Sequence, residues 1–381
     1  MENLYFGVHG LYWSIQLNNN YLKFVLDYKI YREWWYIMIL QNKRIELNNS
    51  FPIQNIKDLA NDKELRYIQI SDYISKELLL LLNEHVFSIR DDICFRVYGF
   101  YIIKVCDLDF LKYMTNLTDL SIELSFSQSE IENIEVLTDL KNLSKLHLCI
   151  YKLKDYSFIQ RINTDLRKLS IYAYKGNFDC EWLIRFRKLE SLYLGKAKKN
   201  ISKISQIHSL RDLTFQGITC SSLDFLMDLP LDKLAISFGA MSCLDTLKNH
   251  PTISDIELWR ISKLKDIEFL TSLPNLRKFH LWQLPHIVEL PKFKPSNKVE
   301  CIDIDECKNF SNIHSVENMH NLKRLRLIAA VSENEMKYAL NNPSIKNISY
   351  YCGGLKQIER VNEKIEASGK HSGEIWIYEL F

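Results

Sequence analysis

The chain has 381 residues, 47% of them apolar and 25% charged, which is the composition of a folded chain with a large core. Lysine and arginine (49) nearly balance aspartate and glutamate (47), which argues against a dedicated nucleic-acid surface. Nine cysteines without CxxC pairs or tight clusters argue against a zinc site or a disulfide framework, and predict reduced, mostly buried thiols. Asn18, Asn19 and Asn20 interrupt the N-terminus before any continuous apolar core, so no signal peptide is expected. The strongest apolar run, Trp34 to Leu40, is too short to span a bilayer. Together these features predict a cytoplasmic protein with neither a membrane nor a nucleic-acid partner.

Residues 1–58 are aromatic and β-prone (Tyr28, Tyr31, Trp34, Trp35, Tyr36) and carry no internal repeat. They are expected to form a β-rich cap. From residue 59 onward a different rule takes over. Leu65/Ile68/Ile70 and, in degenerate form, Phe95/Val97 introduce the pattern apolar-x-x-apolar-x-apolar. It then recurs as Leu117/Leu120/Ile122, Leu143/Leu146/Leu148, Leu166/Leu169/Ile171, Leu189/Leu192/Leu194, Leu210/Leu213/Phe215 and Leu231/Leu234/Ile236. Ile253/Ile256/Leu258, Leu276/Phe279/Leu281, Val299/Ile302/Ile304, Leu322/Leu325/Leu327 and Ile345/Ile348/Tyr350 complete the series. The leading residues stand 26, 23, 23, 21, 21, 22, 23, 23, 23 and 23 apart.

The last three residues of the pattern alternate with period two, which makes a short strand with one buried face. One such unit cannot bury its apolar edge alone, so neighbours must stack and set their strands side by side as a parallel sheet. The rest of each unit returns on the opposite side. There Asp109-Phe110-Leu111, Ser157-Phe158-Ile159, Asp224-Phe225-Leu226 and Glu268-Phe269-Leu270 predict short helical turns, with the polar residue as N-cap. Ile375/Ile377 predict a final capping strand, so the repeat domain runs over 59–381.

These residues resemble the leucine-rich-repeat family, most closely its short bacterial classes. The resemblance implies an α/β solenoid with a parallel sheet on a concave face, short helical or irregular turns on the convex side, and a protein partner. The asparagine usual three residues after the last strand leucine is mostly replaced, for example by Tyr151, Tyr174, Ala197 and Ile261. An irregular array without an asparagine ladder is therefore expected.

Counting the leading apolar residue as position one, the fifth and seventh positions should face outward from the sheet. The fifth column includes Tyr193, Glu257, His280, Asp303 and Arg326; the seventh includes Tyr172, Trp259, Trp282, Asp305 and Tyr351. Exposed Trp, Tyr and Arg are the common anchors of protein interfaces, so these ten residues are the candidate partner-binding set. Glu257, His280, Asp303 and Arg326 also suit a ladder of alternating charge better than catalysis, because nucleophilic chemistry needs a positioned Ser or Cys beside the base. Neither a metal site nor a cofactor motif is evident, and Cys301-Ile-Asp303 lies inside a predicted strand. The composition suggests an AT-rich bacterial genome, in which a monomeric repeat protein that neutralises a toxin (an immunity protein or antitoxin) is one expectation. A scaffold, a regulatory subunit or an effector that recruits a host protein is the other.

Overall fold

The computed structural model describes residues 4–8, 11–15, 44–100, 104–124, 130–174 and 178–373. The chain divides into two compact units, Met1–Asn142 with Cys149–Lys152, and Leu143–Leu148 with Leu153–Phe381. The aromatic segment with Tyr28, Tyr31, Trp34, Trp35 and Tyr36 lies outside the described residues, as does Ile375/Ile377.

In the first unit, β1 (Leu4–Val8) and β2 (Leu11–Ile15) form an antiparallel hairpin with Leu4 opposite Ile15. A parallel ladder follows: β3 (Arg44–Glu46), β4 (Tyr67–Ile70), β5 (Cys94–Tyr98) and, beyond the short β6 (Val105–Asp107), β7 (Asp119–Leu124). β6 pairs with β8 (Glu130–Glu132) in a separate two-stranded sheet. The ladder thus starts upstream of the expected boundary at residue 58. Arg44-Ile45-Glu46 is too short and too polar to display the repeat, yet its backbone pairs in register with Tyr67–Gln69.

In the second unit each repeat contributes one strand. They are β9 (Lys145–Ile150), β10 (Lys168–Tyr172), β11 (Ser191–Gly195), β12 (Asp212–Gln216), β13 (Lys233–Ser237) and β14 (Asp255–Trp259). β15 (Lys278–Trp282), β16 (Cys301–Cys307), β17 (Arg324–Ala329), β18 (Asn347–Tyr350) and β19 (His371–Ser372) complete the series. Each pairs in parallel with the next. Positions four and six of neighbouring repeats lie opposite one another, as Leu213 and Phe215 do with Leu234 and Ile236. These rows are the core; Leu213, Phe215, Leu234, Ile256, Leu258 and Ile304 are inaccessible or nearly so.

All four expected helical turns are present, as tight 3-10 turns at Leu108–Tyr113, Ser157–Gln160, Asp224–Leu226 and Glu268–Ser272. Their capping differs from expectation. The residue that accepts the turn's backbone N–H stands two positions earlier: Asp107 for Asp109, Asp155 for Ser157, Ser222 for Asp224 and Asp266 for Glu268. A 3-10 turn is tighter than an α-helix, so an Asx-type or Ser-type side chain reaches the N–H two residues on rather than three.

The asparagine ladder is indeed replaced after the strand. Position eight adopts a left-handed backbone in six successive repeats: Lys196 (φ 56°), Gly217 (62°), Phe238 (55°), Arg260 (50°), Gln283 (49°) and Glu306 (49°). This conformation aims the N–H of the first five at the position-seven carbonyl of the next strand, adding one more rung to the sheet. Examples are Phe238 to Trp259 (2.9 Å) and Gln283 to Asp305 (2.9 Å). Position nine then turns inward as Ala197, Ile218, Ile261, Leu284 and Cys307, all buried.

Candidate functional site

The sheet face opposite the core rows carries positions three, five and seven, and their order follows the register. Glu257, His280, Asp303, Arg326 and Ser349 lie on successive strands, as do Trp259, Trp282, Asp305 and Ile328. Tyr172 stands opposite Gly195 and Tyr193 opposite Thr214. At about 4.8 Å per strand, Tyr193 on β11 is roughly 14 Å from the Trp259 column, and Tyr351 lies past the end of β18. The ten candidates therefore separate into an aromatic and charged centre on β14–β17 and three outlying tyrosines.

The fifth column is less exposed than its outward direction implies. Glu257, His280 and Asp303 retain 5%, 4% and 2% of their accessible surface. Their neighbours on the same face cover them and join them into a network. Lys233 Nζ approaches Glu257 Oε1 at 2.5 Å. Trp259 Nε1 donates to His280 Nδ1 at 3.3 Å, and the two rings meet edge to face. An indole N–H can only donate, so Nδ1 is the accepting nitrogen and the imidazole proton sits on Nε2. Nε2 lies 3.8 Å from Asp303 Oδ2. Arg326 Nη1 spans Asp303 Oδ1 (2.8 Å) and Asp305 Oδ2 (3.1 Å). Burial alone would lower the Arg326 pKa, but these two carboxylates hold it above the ordinary value. Burial raises the Asp305 carboxyl, opposed by Arg326. The Cys301 thiol on β16 is pushed up to about 12 by burial, the opposite of what a thiolate nucleophile requires.

The two tryptophans form the exposed part of this centre. Trp259 and Trp282 are half-buried, 5.4 Å apart between ring centroids and at 87° to one another. Trp282 Nε1 donates to Glu306 Oε2 (3.4 Å), which Gln283 also bonds. Both indoles are thus fixed at the polar edge. Tyr172 leans across the backbone of Gly195, where an added Cβ would come within 2.2 Å of its ring, and it packs on Tyr174 at 4.3 Å.

Sequence reasoning passed over two sets of residues. The third-position column places Lys233, Asp255 and Lys278 on adjacent strands. There burial raises the Asp255 carboxyl to about 7 despite both lysines, and its Oδ1 is buried without a hydrogen bond. The period-two alternation that revealed positions five and seven points equally to position three. Glu306 and Gln283, by contrast, gave no signal, because left-handed positions favour Gly or Asn and neither residue is one.

One in-register strand per repeat, with the L-x-x-L-x-L rows buried, settles the architecture. The chain is a leucine-rich-repeat solenoid. No protein-family model matches it, and neither does any curated protein. Among solved structures it is similar to an internalin from Listeria monocytogenes, at 15% identity over 85% of this chain and 94% of that one, with a TM-score of 0.49. A Leptospira interrogans leucine-rich-repeat protein matches at 14% identity over 80% of this chain and all of its own, with a TM-score of 0.32. A chain of the Toll–Spatzle complex from Drosophila matches at 15% over 84%, with a TM-score of 0.42; the match covers 42% of that longer chain.

Proposed function

We propose that the leucine-rich-repeat chain is a non-catalytic protein-binding module whose contact face is the sheet surface of β14–β17. The observation that carries this reading is the tryptophan pair. Trp259 and Trp282 stand edge to face on a sheet surface, with their indole N–H groups already bonded to His280 and Glu306. Rings held in place lose little entropy when a partner covers them, and large aromatic surfaces dominate interface energetics. Asp305 and Arg326, both half-buried, border the pair and offer charge at its edge. Glu257, His280 and Asp303 act beneath them as support, not as direct contacts, because little of their surface is accessible.

The partner is a protein that this face occludes, such as a bacterial toxin neutralised by a cytoplasmic immunity protein; this finer role rests on fold and composition alone. A scaffold or regulatory subunit would use the same face and differ in what the captured protein does afterwards. The test is a pull-down from the native host with wild type and a Trp259→Ala/Trp282→Ala variant, both checked by circular dichroism. One enriched protein that the folded variant loses supports the reading, and loss of that protein's toxicity on binding identifies the immunity role. Equal retention by both would sink the assignment of this face.

A further inference from the structure

Away from the tryptophan face, the loops and strand starts of the β10–β12 repeats enclose an open groove of about 430 Å³ lined by Arg167, Arg187, Lys188, Glu190, Ser209 and Arg211. Arg167, Glu190 and Arg211 occupy the second position of three successive repeats, and backbone bonds of 2.8 Å from Glu190 to Arg167 and from Arg211 to Glu190 set them on adjacent rungs. The turn before β11 supplies Arg187 and Lys188.

The charges do not cancel. Arg167 pairs with Glu190 at 2.5 Å and Lys188 with Asp165 at 2.9 Å. Arg211 spends Nη1 on the carbonyls of His208 (3.3 Å) and Leu210 (3.1 Å), and Ser209 Oγ is spent on Leu189 O. Among the described residues neither Arg187 nor Arg211 forms an ion pair. Four cations against Glu190 and Asp165 leave +2, which equals the net charge of the entire chain. The next two rungs carry Asp232 and Ser254 at the same position, so the cationic track spans three rungs, about 10 Å.

We propose that this groove binds a short run of aspartate or glutamate on a protein partner, an inference that rests on the protein-binding reading above and names a second contact for it. Guanidinium forks match carboxylates in a bidentate way, and the groove offers two that no acid engages. Its length fits about three extended residues. No aromatic side chain lines it, so it lacks the stacking platforms that hold single-stranded nucleic acid.

Fluorescence anisotropy with a labelled hexaglutamate peptide at low salt tests this on the full chain. Arg187→Glu/Arg211→Glu should weaken binding about tenfold or more, equivalent to ~1.4 kcal/mol. Lys263→Glu/Lys308→Glu, which makes the same change of net charge on exposed lysines elsewhere, should leave binding near wild type. The Trp259→Ala/Trp282→Ala variant should also bind the peptide normally, so failure of the tryptophan face and failure of the groove remain distinguishable. Three outcomes overturn the proposal: no saturable binding, equal loss in the Lys263/Lys308 control, or an oligothymidylate or inorganic phosphate binding as tightly as the peptide.

Discussion

Asp255 is the residue where sheet geometry and ionisation conflict most directly. The ladder holds it between Lys233 and Lys278, but burial outweighs both and Glu257 adds repulsion, so its carboxyl sits at about 7 against an ordinary 3.8. A carboxyl whose folded pKa is raised binds its proton more tightly folded than unfolded. Its contribution to stability is complete below the unfolded value and disappears as pH rises through the folded one. Asp255→Asn should therefore match wild type in thermal stability near pH 4 and exceed it near pH 8, seen as a growing Tm difference in scanning calorimetry. A difference that stays flat across that range would refute the shifted carboxyl. The sequence made this residue visible only as one more polar position on an alternating strand, because desolvation depends on which neighbours cover it.

At the scale of the element, the repeat keeps its side-chain ladder but moves it to the turn before the strand. Three positions ahead of the leading apolar residue, Asn163, His250 and Asn342 each donate to a carbonyl of the preceding repeat: Leu143 (2.8 Å), Leu226 (3.0 Å) and Val316 (2.6 Å). Each then accepts from the backbone N–H two residues on, at 3.1, 3.5 and 2.8 Å. His250 serves in this slot because its ring offers one donor and one acceptor at opposite edges, and burial lowers its pKa so that it stays neutral. Immediately before the leading residue, Ser209, Thr252, Asn275, Asn321 and Ser344 also donate to carbonyls of the preceding repeat. Asn342 is inaccessible and also bonds Met319 O. Asn342→Leu leaves those carbonyls without their donor and should cost about 3 kcal/mol in urea denaturation. A loss below about 1 kcal/mol would show the slot to be dispensable. The absence of the usual asparagine was legible in the sequence, but its substitute was not, because Asn, Ser, Thr and His scattered through turns carry no periodic apolar signal.

Over the whole molecule, the strands were legible because burial of Leu, Ile and Val at positions one, four and six repeats with a fixed spacing. The turn caps shifted by two residues, and the fifth column proved more covered than its direction suggested. β3 escaped notice because its three residues are too short to show the apolar repeat, and its Glu46 joins its neighbours through polar bonds to Gln69, Ser71 and Tyr98. The tryptophan pairing was foreseeable, since 23 residues separate Trp259 from Trp282 and the register does the rest. The cysteines give a molecule-wide check. Cys243 is exposed and Cys220 half-buried, while the other seven are buried, with burial raising Cys106, Cys180 and Cys307 to about 12. A thiol reagent should label Cys243 quickly and Cys220 slowly in the native protein, and all nine after denaturation. Rapid native labelling of three or more would contradict this packing. Position eight carries a further consequence. Because the left-handed residue resets the backbone at the end of β11 to β16, differences in the length of those repeats, from 21 to 23 residues, fall in the return segment. A gene that gains or loses a whole repeat by unequal crossing-over therefore re-enters the sheet in phase, whatever the length of the piece. That stretch of the array can change its length while every retained strand keeps its inner and outer faces.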